Sequence, residues 1–87
     1  MYFVGVNIGK RKHIATIIDN SGCIIKEAFI FNDGLSGYKK MSKELSNISV
    51  NPLDFIIGLK CTSYDGSALC SKFCADGYTV YLLDEKD

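Results

Sequence analysis

The sequence predicts an α/β domain built on a mixed five-stranded sheet, and three observations carry that expectation. Short β-branched and aromatic runs occupy both ends of the chain, the first three are joined by turns too short for a crossover, and helical spacing separates the later ones. With 87 residues, 47% of them apolar, and one proline, the chain has the material for one core and not for two. A single domain over residues 1–87 is expected, with a stability on the order of 5 kcal/mol.

Tyr2 to Ile8 is a β-branched and aromatic run interrupted by Gly5, apolar on both faces, as suits a central strand covered on both sides. Gly9-Lys10-Arg11-Lys12 is a polar turn into a second strand, His13 to Ile18. Asp19-Asn20-Ser21-Gly22 then supplies residues that tolerate a tight reversal into a third strand, Cys23 to Phe31. Two short turns make these three strands an antiparallel meander. From Asn32-Asp33-Gly34 onward Leu35, Tyr38, Met41, Leu45 and Ile48 recur at threes and fours while lysines take other faces, which predicts an amphipathic helix. Asn51-Pro52 breaks it, and Phe55 to Leu59 is a continuous apolar run typical of a buried strand. A second helix is expected from near Ser63, where Thr62 and Ser63 are either its caps or catalytic contacts, to Gly77, with Tyr78 to Leu83 as the last strand.

The order is strand, strand, strand, helix, strand, helix, strand. A helix between the fourth and fifth strands requires them to run parallel through a right-handed crossover. A three-strand meander continued in this way is the ribonuclease H-like fold. In it the first and fourth strands lie side by side and parallel, so Asn7 and Lys60 end neighbouring strands about 4.8 Å apart. Paired carboxylates at that distance share divalent metals, and two metals roughly 3.5 to 4 Å apart drive phosphodiester chemistry.

The segments Val4-Gly5-Val6-Asn7-Ile8-Gly9-Lys10-Arg11-Lys12-His13 and Gly58-Leu59-Lys60-Cys61-Thr62 resemble the N-terminal RuvC-like domain of the DEDD-type insertion-sequence transposases, which are related to the Piv-type invertases. That family opens on Val-Gly-Ile-Asp-(Val/Ile)-(Ala/Gly)-Lys-x-x-His and continues with Gly-(Leu/Met)-Glu-Ala-Thr-Gly. The likeness extends through the helix around Gly37 to Leu45 and the closing Gly77-Tyr78-Thr79-Val80. It implies DNA cleavage and strand transfer with Mg²⁺ in the intact family, and DNA as a partner.

The departures fall on the chemistry. The family's first two acidic positions are Asn7 and Lys60 here, an amide and an ammonium, and Ser63 stands where the family has a glycine. The later acidic pair of the family falls beyond this sequence; Asp84, Glu85 and Asp87 come too early to match it, so the domain is expected to be truncated relative to the family. Exchanging two carboxylates for these groups changes the local charge by about three units. No metal, no cofactor and no metal-dependent nuclease or strand-transfer activity are therefore expected of this chain.

Ten basic and ten acidic side chains cancel, so no overall field favours nucleic acid. Local charge does: Lys10, Arg11 and Lys12, with His13 and Lys60, form either a basic lip for phosphate contacts or a solvated hairpin turn. His13 is a substrate contact or a structural histidine at a strand end. Tyr64 and Asp65 are further candidates for the same edge. Gly5-x-Asn7-x-Gly9 before a hairpin also resembles the first phosphate loop of the actin-like kinases, a second reading, and a non-catalytic association module or homo-oligomer is a third. Cys23, Cys61, Cys70 and Cys74 form no Cys-x-x-Cys pair and read as reduced, buried structural thiols rather than a zinc site. The opening Met1–Gly5 does not look like a signal peptide and no run is long enough to span a bilayer, which predicts a cytoplasmic protein without membrane contact.

Overall fold

A computed structural model describes residues 1–61 and 64–84. These form strands β1 (Tyr2–Asn7), β2 (Lys12–Asp19) and β3 (Ile24–Asn32), helix α1 (Leu35–Ile48), a short 3-10 turn (Pro52–Asp54), strand β4 (Phe55–Cys61), helix α2 (Ser67–Ala75) and strand β5 (Thr79–Asp84). The sheet is mixed, in the order β3-β2-β1-β4-β5. β1 pairs antiparallel with β2 and parallel with β4, and β4 pairs parallel with β5.

The meander closes through local chemistry. One oxygen of the Asp19 carboxylate accepts hydrogen bonds from the Ser21 N–H at 2.9 Å, the Ser21 hydroxyl at 2.7 Å and the Cys23 N–H at 2.9 Å, which folds the β2–β3 turn around it. At the far end of the chain Gly77 takes a φ of 92° just past α2, the left-handed conformation that a residue without Cβ adopts freely. Helix α2 is shorter than expected: it starts at Ser67, whose N–H and hydroxyl are both bound by the Asp65 carboxylate at 2.9 Å. Thr62 and Ser63, read as its caps or as catalytic contacts, lie outside the described residues, as do Glu85 and Asp87.

Both helices cover the same face of the sheet. The sheet advances in one direction from β3 through α1 to β4 and through α2 to β5, and right-handed crossovers that advance in the same direction place their helices on the same side. Under them lies one continuous core of Val4, Val6, Ala15, Ile17, Phe31, Tyr38, Met41, Leu45, Phe55, Ile57, Leu59 and Phe73. The Phe73 ring meets those of Tyr38 and Tyr78 at 5.1 and 5.7 Å. Tyr38 also donates its hydroxyl toward Asp76 and the Lys72 carbonyl, tying α1 to α2. Burial, and then the Asp76 carboxylate, raise the Tyr38 phenol far above its ordinary range.

Three expectations are corrected here. β1 is central but not covered on both sides: Val4 and Val6 are buried, while Phe3 and Gly5 on the other face are exposed. Its apolar residues on both faces therefore mark one core face and one open apolar face. The thiols are not uniformly buried either, since Cys23 sits exposed beside the β2–β3 turn and Cys74 faces outward from α2. Leu35, expected on the buried stripe of α1, instead lines the groove between the two helices. Among the described residues no helix is long and apolar enough to cross a membrane.

Candidate functional site

The carboxyl ends of β1 and β4 meet at one edge of the sheet, where Asn7 and Lys60 are direct register partners. Side chains alternate along a strand, so Asn7 shares a face with Phe3 and Gly5, and Lys60 shares it with Ile56 and Gly58. Asn7 is also opposite Ile14 on β2, which puts Lys12, two residues nearer the edge, on that same open face. Asn7, Lys12 and Lys60 are all exposed. Lys10 and Arg11 are exposed in the turn between β1 and β2, completing a strip of cationic side chains along this edge.

His13 belongs to the opposite face. Its ring is 3% exposed, packs against Phe31 at a centroid distance of 5.1 Å, and is engaged at both nitrogens. The Gly9 N–H donates to Nδ1 at 3.2 Å, so the ring proton resides on Nε2, which donates to the Asp33 carboxylate at 3.0 Å. The Asp33 N–H in turn donates to the Arg11 carbonyl at 2.8 Å. Together these bonds fasten the cationic turn to the loop entering α1. Gly9 completes the arrangement, because a Cβ there would stand 2.2 Å from the Lys12 carbonyl oxygen, a distance no side chain tolerates. The structure therefore sets His13 beneath the turn as its anchor, and sets the four cationic residues above it.

Sequence reading missed Asp33 as the partner of His13. The signal was available in part, since a β2–β3 hairpin brings the end of β3 back beside His13; register shifts between Ala15 and Ile17 and between Ile17 and Ile18 obscure which residue arrives there. Asp65 and Tyr64 are exposed. The backbone N–H of Ser67, and then its hydroxyl, hold the Asp65 carboxyl below its ordinary range, so this acid is engaged in starting α2.

The donor set at the strand ends does not suit a divalent metal. Hard cations of that kind are held by several carboxylate and carbonyl oxygens, whereas the register pair supplies at most the one neutral amide oxygen of Asn7 beside the Lys60 ammonium. Among the described residues no three His, Cys, Asp or Glu side chains gather to form a metal site. No protein-family model matches the chain, and no curated protein matches it.

Proposed function

We propose that this chain is a ribonuclease H-like domain of the kind that begins the DEDD transposases, changed at its metal positions so that it contacts nucleic acid without cutting it. The observation that carries the reading is the register of Asn7 with Lys60 at the parallel strand ends, where the family's first two acids would stand side by side. The five-strand order and the shared edge of Lys10, Arg11, Lys12 and Lys60 support it. Cleavage by two metals needs carboxylates at that pair, and contact with phosphates needs cations along that edge. The first requirement is missing and the second is met.

The test is fluorescence anisotropy of a labelled DNA duplex over a salt series. Binding is expected at low salt and should weaken linearly on logarithmic axes, with a slope of about −0.9 for each phosphate neutralised. Replacing Lys10, Arg11 and Lys12 together by Gln should remove most of it, with the circular dichroism spectrum unchanged. Undetectable binding at low salt, or binding indifferent to the triple replacement, would overturn the nucleic-acid reading.

A further inference from the structure

Helices α1 and α2 leave a groove between them that none of the chemistry above uses, with a volume of about 590 Å³. Its α1 bank carries Leu35, Lys39 and Lys43, four residues apart and so spaced by about 6 Å along the helix. Its α2 bank carries Lys72, Ala75 and, just past the helix end, Asp76. The Tyr38 side chain reaches across from α1 to α2, and the Lys72 ammonium stands 5.6 Å from the centroid of its ring, which keeps that charge at the groove. Tyr38 is buried, whereas Leu35 and the three lysines are exposed. The groove thus offers apolar contact from Leu35, Ala75 and the Tyr38 ring, and ammonium groups on both banks.

The charges around this groove do not balance. Lys40 turns away to donate to the Ile30 carbonyl at 2.8 Å, and Glu44 pairs with Lys26 of β3 at 3.5 Å, so neither lines the groove. Asp33 lines a separate hollow beside Lys72 and accepts from His13. Lys39 and Lys43 form no ion pair among the described residues, and like charges four residues apart on a helix repel. Asp76 is the one carboxylate lining the groove among the described residues, and the Tyr38 hydroxyl donates to it. Three ammoniums against one carboxylate leave two positive charges here, in a chain whose formal net charge is zero.

We propose that this groove binds a small organic phosphate monoester, its phosphate among Lys39, Lys43 and Lys72 and its apolar body against Leu35, Ala75 and Tyr38. A phosphate monoester carries nearly two negative charges at neutral pH and so matches the local excess, whereas a carboxylate matches half of it. Lysines bind phosphate as point charges on flexible stems, so ammoniums on facing banks can converge on one group. The volume falls within the roughly 300–1,000 Å³ of small-molecule sites, which favours a ligand of that size over a macromolecule. The groove lies across the sheet from Asn7 and Lys60, and the inference does not rest on the nucleic-acid reading.

Amide-detected NMR titration of the wild-type chain with naphthyl phosphate at neutral pH tests this, with inorganic phosphate and naphthol as partial ligands. Saturable shifts are expected along Leu35–Ser46 and Lys72–Asp76 with a dissociation constant below about 1 mM, and each partial ligand should bind at least about tenfold more weakly. The double replacement Lys39→Gln with Lys43→Gln should weaken naphthyl phosphate by about tenfold or more. Lys40→Gln, which removes a charge from the same helix outside the groove, should leave the affinity unchanged. All three side chains are exposed, so unchanged circular dichroism is expected of each variant. No saturable shift by about 10 mM ester overturns the inference. Equal affinity for inorganic phosphate overturns it as well, since the groove then supplies charge without a pocket, and so does equal weakening by Lys40→Gln, since net charge alone is then responsible. Shifts at these residues that follow a DNA duplex or phosphatidic acid vesicles but not the soluble ester also overturn it.

Discussion

At the residue scale the chain's single histidine fastens the β1–β2 turn to the loop entering α1. Replacing His13 by Ala strands the Gly9 N–H, leaves a hole against Phe31, and releases the Asp33 carboxylate to solvent. A loss of about 1–3 kcal/mol is expected in urea denaturation, the usual range when a buried donor loses its acceptor; an unchanged midpoint would show that the ring is dispensable to the turn. Asp19 provides a pH-dependent counterpart. The Ser21 hydroxyl first, and the Cys23 N–H second, hold its carboxyl below the ordinary range in the folded chain. A depressed folded value means that its contribution is present above the unfolded pKa of about 3.9 and fades as pH falls through the folded one. The wild type should therefore lose stability relative to Asp19→Asn as pH is lowered through the acid range, measured as converging urea midpoints. Parallel midpoints would contradict that role. That Asn7 and Lys60 end neighbouring strands is legible in the sequence, whereas Lys12, read there as part of the turn, joins their face because β2 begins one residue earlier. The depth of His13 is not legible, because it depends on Asp33 arriving from twenty residues away.

At the element scale, the pattern of strands and helices is readable because each segment's period agrees with its place. Tyr38, Met41 and Leu45 repeat at helical spacing and are buried, and Phe55, Ile57 and Leu59 alternate and are buried. What periodicity does not reveal is which side of the sheet the helices take; that follows from the strand order, which makes both crossovers advance the same way. The boundaries of α2 are less legible, since this helix buries chiefly Phe73 and carries little apolar pattern of its own. Its attachment therefore rests most heavily on one ring, with Leu69, Cys70 and the Tyr38 hydroxyl bonds beside it. Phe73→Ala is expected to cost about 3–5 kcal/mol, a large share of the stability of so small a domain, and to release α2 first. Amide exchange should show protection lost across Ser67–Ala75 before it is lost in β1 and β4. Uniform loss would indicate that α2 and the sheet unfold as one unit.

At the scale of the whole molecule, the sheet divides the domain into a packed side and an open side. The packed side holds the core and the His13 anchor, and the open side carries both an apolar trough floored by Gly5 and Gly58 and the pair Asn7 and Lys60. The trough is half legible in sequence: Gly5 interrupts a strand and Gly58 interrupts another, but only their register shows that the two gaps coincide. The measurement that bears most directly on the proposal that Asn7 and Lys60 stand where metal-binding acids would is an NMR titration with Mg²⁺ or Mn²⁺, performed on the wild type and on the double replacement Asn7→Asp with Lys60→Glu. The wild type should give no saturable shifts at the ends of β1 and β4, whereas the double replacement should give saturable shifts centred on both positions together. Saturable sub-millimolar binding by the wild type at these two residues, or no gain in the double replacement, would contradict the account.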